Sequence, residues 1–174
     1  LRIGSAGKTF SMTGWKVGYT TGPADLITAA AKAHQFLTFT TPPNLQAAVA
    51  YGLGKDDEYF EALGSDMEAK RDRLAGGLAA IGFEIMPSEG TYFLTADFRA
   101  IANRTGFNGD DAEFCKLITT KAGVAAVPFS AFYQGGPNSN DNAGVNHFIR
   151  FCYCKNDALL DAAVEKLAGF FGTA

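Results

Sequence analysis

Histidine and cysteine are scarce, two and three among 174 residues. Cys115, Cys152 and Cys154 are too few for a disulfide framework, and no second Cys or His cluster stands near them to complete a zinc site. No metal is expected. The three read as small buried hydrophobes of a reducing compartment, which points to the cytoplasm. Cys152 and Cys154 would share one face if 148–154 is extended. Charge is also sparse: charged residues make up 19%, the formal net charge is -3 and the pI about 5.3. That leaves no electrostatic footprint for nucleic acid. No apolar run reaches the length of a membrane span, and no signal-peptide pattern opens the chain. There is no internal repeat, and no low-complexity tract beyond GGPNSNDNAG at 135–144, which reads as a polar loop and a possible flap.

What is present is enough apolar matter for a core, 47% of residues, in an order that changes along the chain. Residues 1–22 are rich in Gly and Thr and read as strand and loop. Leu1-Arg2-Ile3-Gly4 resembles a strand already under way, which argues for a truncated chain. A helix is expected from Pro23 through Leu26, Ile27, Ala30 and Ala33, giving out near Phe36 in a β-prone stretch. Thr41-Pro42 reads as the next helix start. From Asp56 to Ile81 the stripe Phe60, Leu63, Met67, Leu74, Leu78, Ile81 predicts a helix of some 25 residues, roughly 37 Å at 1.5 Å per residue. That is long enough to bridge two domains. Strands are expected at 83–86 and 91–98, a helix at 110–122, a short strand at 123–127, a strand at 146–154 and a closing helix from Asn156-Asp157. This alternation is an α/β layer.

Gly4-Ser5-Ala6-Gly7-Lys8-Thr9 invites a phosphate-loop reading, but that motif needs a glycine where Arg2 stands, and a helix after Lys8. A glycine-broken, β-prone stretch follows instead. Ser5-x-x-Lys8 followed by Thr13-Gly14-Trp15-Lys16-Val17-Gly18-Tyr19 is a more specific pattern. It resembles the Schiff-base segment of class I/II (fold type I) aminotransferases, S-x-x-K then T-G-W-[RK]-x-G-Y. The resemblance implies pyridoxal 5'-phosphate as cofactor, Lys8 as the catalytic lysine that holds it, and Ser5 and Lys16 as ligands of its phosphate. Lysine replaces the family's usual arginine at position 16, keeping the charge without the planar fork. A lysine in this role attacks as a neutral amine and later carries a proton.

In Asn146-His147-Phe148-Ile149-Arg150-Phe151-Cys152-Tyr153-Cys154 one arginine interrupts an apolar strand. A guanidinium there needs a partner, either a protein carboxylate or that of a substrate held by two charge-assisted hydrogen bonds. The run through Lys155 resembles the family's [IV]-R-[FL]-[CS]-[FY]-[AC]-K strand, in which the arginine binds the substrate α-carboxylate. Glu89-Gly90-Thr91-Tyr92-Phe93 resembles the start of a small-domain strand. Phe36 to Gln46 resembles the loop that crosses to the other subunit in kynurenine/glutamine and methionine aminotransferases, making Phe39 and Thr40 substrate-binding candidates and a homodimer the expected assembly.

The resemblance implies an α/β fold in three parts: 1–55 as the end of the large cofactor-binding domain, 56–82 as a long inter-domain helix, and 83–174 as a small C-terminal domain. The expected activity is transamination between an α-amino acid and a 2-oxo acid. The alternatives are a C–S β-lyase of the same fold, or the aminotransferase-like effector domain of a transcription regulator. The family's glycine-containing phosphate loop, ring-stacking aromatic and pyridine-binding Asn, Asp and Tyr have no counterpart in these residues, so the 174 residues alone are expected to be inactive.

Overall fold

The chain divides into two units, Leu1–Glu61 and Ala62–Ala174, each with its own buried core. The computed structural model describes residues 1–134 and 144–173. The polar loop expected at 135–144 falls, apart from Gly144, outside the described residues.

In the first unit, β1 (Arg2–Ser5) pairs antiparallel with β2 (Gly18–Thr21). Between them lie the single helical turn α1 (Ala6–Thr9) and a 3₁₀ turn, Thr13–Trp15. Strand and loop alone were expected here; the turn forms because the Ser5 side chain caps it. Helix α2 (Ala24–Leu37) follows Pro23, whose fixed φ suits a helix start. It runs through the β-prone Phe36-Leu37, because the alanine-rich turns before them propagate the helix. The N-cap of α3 (Pro43–Leu53) is Pro42, one residue later than the sequence reading placed it. The unit's core is small: Ala6, Val17 and Val49, with Phe10, Met12 and Leu45 packed against it. No residue of α2 is buried.

Helix α4 (Asp57–Ile81) has the expected extent, with Asp57 and Glu58 in its first turn favouring the helix dipole. Of its apolar stripe only Leu74, Leu78 and Ile81, in the last turns, are buried. The second unit is built on a four-stranded antiparallel sheet ordered β3 (Glu84–Ile85), β4 (Phe93–Asp97), β6 (Phe148–Cys152), β5 (Val127–Pro128). The strands are shorter than their sequence signals. Gly123, placed in a strand by its apolar neighbours, is a left-handed cap that ends the π-helical turn Ile118–Ala122. Helices α5 (Arg99–Thr105), α6 (Asp111–Leu117) and α7 (Asp157–Phe171) complete the unit. The seven residues of α5 are too few to show a helical stripe, and the sequence reading missed them. Helix α6 starts at the capping box Asp110/Glu113, and α7 at the Asn156 side chain, which accepts from Leu159 N.

One core joins these layers. Leu78, Ala96, Ile101, Phe114, Ile118, Ile149 and Leu167 are fully buried. Phe114 stacks on Phe98 with ring centroids 4.1 Å apart and on Phe171 at 5.6 Å. Its burial contributes roughly 2 to 3 kcal/mol. Helices α4 and α7 approach closely at Gly77, where a Cβ would come within 2.6 Å of Val164.

Asp111 is completely buried. Its carboxylate accepts from Ser130 N at 2.7 Å and Ser130 Oγ at 2.8 Å, tying α6 to the 3₁₀ turn Phe129–Phe132. Asp111→Ala strands both donors, so unfolding free energy is expected to fall by roughly 3 kcal/mol. Denaturant unfolding checks this as a lower midpoint at unchanged slope.

Candidate active site

The hairpin places Ser5, Lys8 and Lys16 on one short piece of chain. Ser5 faces Gly18 in the β1–β2 ladder, and Ala6 N donates to Val17 O at 3.1 Å. The Ser5 hydroxyl accepts from Gly7 N at 3.3 Å. The Gly7 carbonyl then accepts from Met12 N at 2.9 Å and from Thr13 Oγ1 at 3.0 Å, closing the turn that presents Lys8. Space is tight there: a Cβ on Gly7 would lie 3.0 Å from the Thr13 Cα, so the backbone would have to give by a few tenths of an ångström. Ala6, Gly7 and Val17 are buried while Ser5, Lys8 and Lys16 are exposed, so a small apolar knot presents the three polar side chains outward. Phe10 packs near Tyr59 and Phe60, which braces the turn from the other side.

Lys16 sits at φ 55, in the left-handed region. For a residue with a Cβ that conformation costs roughly 1 to 2 kcal/mol, and such strain collects at functional sites. Phe39 is held the same way at φ 70 and is 75% exposed. Its N–H donates to His34 O at 3.0 Å, just past the end of α2. Thr40 Oγ1 donates to Thr41 O at 3.2 Å, and Gln46 Nε2 donates to Thr41 O at 2.6 Å. All these residues belong to the first unit. One exposed hairpin thus carries a hydroxyl and two primary amines.

Arg150 lies in the second unit, in register with Thr95 on one side and Val127 on the other. Its guanidinium stacks between two rings, 3.8 Å from the Phe93 centroid and 4.2 Å from that of Phe132. Its Nε is buried without a hydrogen-bond partner, and among the described residues no ion pair includes it. The rings supply π faces but no acceptor, so the planar cation is oriented with its hydrogen bonding incomplete. Phe93 stood in the sequence pattern as strand material only. Phe132 gave no signal, because its place depends on the Asp111–Ser130 anchor, formed across 19 residues. Tyr153 Oη donates to Thr91 O at 3.0 Å, fixing the strained Thr91 (φ 67) ahead of β4.

The cysteines differ from expectation, since Cys115 alone of the three is buried. Burial, followed by the charges of Asp111 and Asp110, pushes its thiol up to about 12. Cys152 is half-buried, because it leaves the core-facing side of β6, and Cys154, two residues on and past the strand end, is exposed. Partial burial first, then the Cys152 thiol, raises the Cys154 pKa, with Lys155 acting in the opposite sense. Among the described residues no cluster of His, Cys, Asp or Glu could hold a metal ion, and no helix is long and apolar enough to cross a membrane.

Residues 1–167 match the family model for aminotransferase class I and II. The chain belongs to that family. The class I/II aminotransferases work with pyridoxal phosphate, and the α/β arrangement described above is part of their fold. The structure of N-succinyldiaminopimelate aminotransferase from Mycobacterium tuberculosis superposes with a TM-score of 0.82 at 43% identity, covering 96% of this chain and 41% of that one. Methionine aminotransferase of Escherichia coli is 39% identical over 165 residues, 95% of this chain and 40% of its own length. Kynurenine–oxoglutarate transaminase of Dictyostelium discoideum is 36% identical over 181 residues, 96% of this chain and 40% of its own length. The chain thus spans about two fifths of the length of these relatives.

Proposed function

We propose that this aminotransferase-family chain carries the cofactor lysine and the carboxylate anchor of an enzyme that exchanges an amino group between an α-amino acid and a 2-oxo acid. The observation that carries the reading is Arg150, a strand-borne guanidinium clamped flat between Phe93 and Phe132 with its Nε buried and unpartnered. A planar fork so oriented suits a substrate carboxylate taken bidentately. Lys8 would hold pyridoxal phosphate through Nζ, with the Ser5 hydroxyl and Lys16 ammonium on its phosphate. When bound, the cofactor supplies the electron sink for the bond broken at the substrate α-carbon. The Lys8 amine then takes the proton from that carbon and returns it.

The domain reading is part of this proposal: 1–55 ends the cofactor domain, 56–82 links, and 83–174 closes as the small domain. So is a homodimer, which the exposed Phe36, Leu37 and Phe39 support, with Phe39 and Thr40 as contacts to the partner's substrate. The free thiols support a cytoplasmic setting. The relatives named above, an aminotransferase and a transaminase, favour neither a β-lyase nor a regulator's effector domain.

The test uses the protein expressed from its whole reading frame, supplied with pyridoxal phosphate, an α-amino acid and 2-oxoglutarate. Visible absorbance and glutamate formation in step with a new 2-oxo acid are expected. Release of ammonia and a thiol from a cysteine conjugate, with no glutamate formed, would overturn the reading in favour of the β-lyase.

A further inference from the structure

We infer that Cys152 and Cys154 are a reversible dithiol site, closing to an intramolecular disulfide by exchange with a small anionic disulfide of the glutathione type. Their Sγ atoms lie 3.2 Å apart. Cys152 ends β6, and Cys154 follows where the strand has stopped. Tyr153 between them is pinned by its N–H to Tyr92 O at 3.0 Å, and its ring is buried, so both cysteines point to the opposite side. Extended residues two apart have Cα atoms roughly 6.6 Å apart, near the upper end of the range a disulfide spans. Closure from 3.2 Å to a bond of about 2.05 Å therefore needs only a local adjustment. Cys154 is exposed, and exposed disulfides are among the readily reduced ones, which makes the site reversible.

Cys152 also lines a pocket of about 210 Å³ with an apolar floor of Leu74, Val124 and Leu159 and with Lys155 and Lys166 among its walls. Two ammonium groups beside an apolar hollow next to a thiol suit a small, negatively charged disulfide. Cys152, which lines the pocket, attacks as the thiolate one sulfur of that disulfide, its S–S bond breaks, and one small thiolate leaves. Cys154 then attacks the Cys152 sulfur and expels the second. The two protein thiols are oxidised and the small disulfide is reduced to two thiols, which take the two protons. Cys115, buried and held protonated, stays out of the exchange.

The experiment exposes the whole-reading-frame protein to oxidised glutathione, quenches by alkylation, and digests with trypsin. Cleavage after Arg150 and Lys155 releases Phe151–Lys155 with both cysteines in one peptide. That peptide is expected unalkylated and lighter by two hydrogens, and to return to the dialkylated form after dithiothreitol. Cys154→Ser is expected to stop at a glutathione adduct on Cys152, while Cys115→Ser closes like the wild type. A wild-type peptide alkylated at both cysteines, or carrying glutathione without closing, would overturn the site, whatever the transamination assay returns.

Discussion

Lys8→Ala, in the protein expressed from its whole reading frame, is expected to abolish transamination and the visible absorbance of the bound cofactor. Loss of the proton carrier by itself lowers the rate by roughly 10²- to 10⁴-fold, and loss of covalent attachment removes the chromophore. Lys8 is exposed on a turn whose shape is set by Ser5, Gly7 and Thr13, so the fold should be unaffected. An unchanged melting curve beside a colourless, inactive protein is the expected pair of results. Borohydride reduction of the wild type, followed by peptide mapping, should place the pyridoxyl group on Lys8. A label on Lys16 or Lys55 would reassign the site. Lys16 is the stricter control, because it lies on the same hairpin with a strained backbone and carries the same amine.

Arg150→Lys keeps the positive charge but loses the planar fork and much of the stacking between Phe93 and Phe132. If Arg150 takes the substrate carboxylate, kcat/KM should fall by roughly 2 to 4 kcal/mol, about 30- to 900-fold. Thermal stability should change little, since Nε has no hydrogen bond to lose and no ion pair among the described residues depends on the arginine. A collapse in melting temperature with kinetics per folded molecule intact would make the arginine structural.

Much of this was legible in residue order. The stripe from Phe60 to Ile81 sets a helix through a local periodicity, and α4 spans Asp57–Ile81. The capping residues Asp110 and Asn156 mark helix starts by hydrogen bonds that reach only three residues. Ser5, Lys8 and Lys16 were grouped by the resemblance of their segment to the family's Schiff-base motif, and they lie on one hairpin whose contacts are also short in sequence. Arg150 stood out because a guanidinium in an apolar strand needs a reason wherever it lies.

Tertiary structure decided what no local pattern encodes. The sandwich around Arg150 draws Phe93 from β4 and Phe132 from a turn held by Asp111, so its parts come from three stretches joined only by long-range pairing and packing. Strand lengths were set by ladder partners rather than by β propensity, which is why Gly123 is a helix cap and β5 has two residues. Burial of the cysteines followed the same logic. Side chains alternate across a strand, so residues two apart share a fate, and only the fold determines which face meets the core. In β6 that face carries Ile149 and Phe151, and Tyr153 just past the strand continues it, leaving Arg150, Cys152 and Cys154 off the core-facing side.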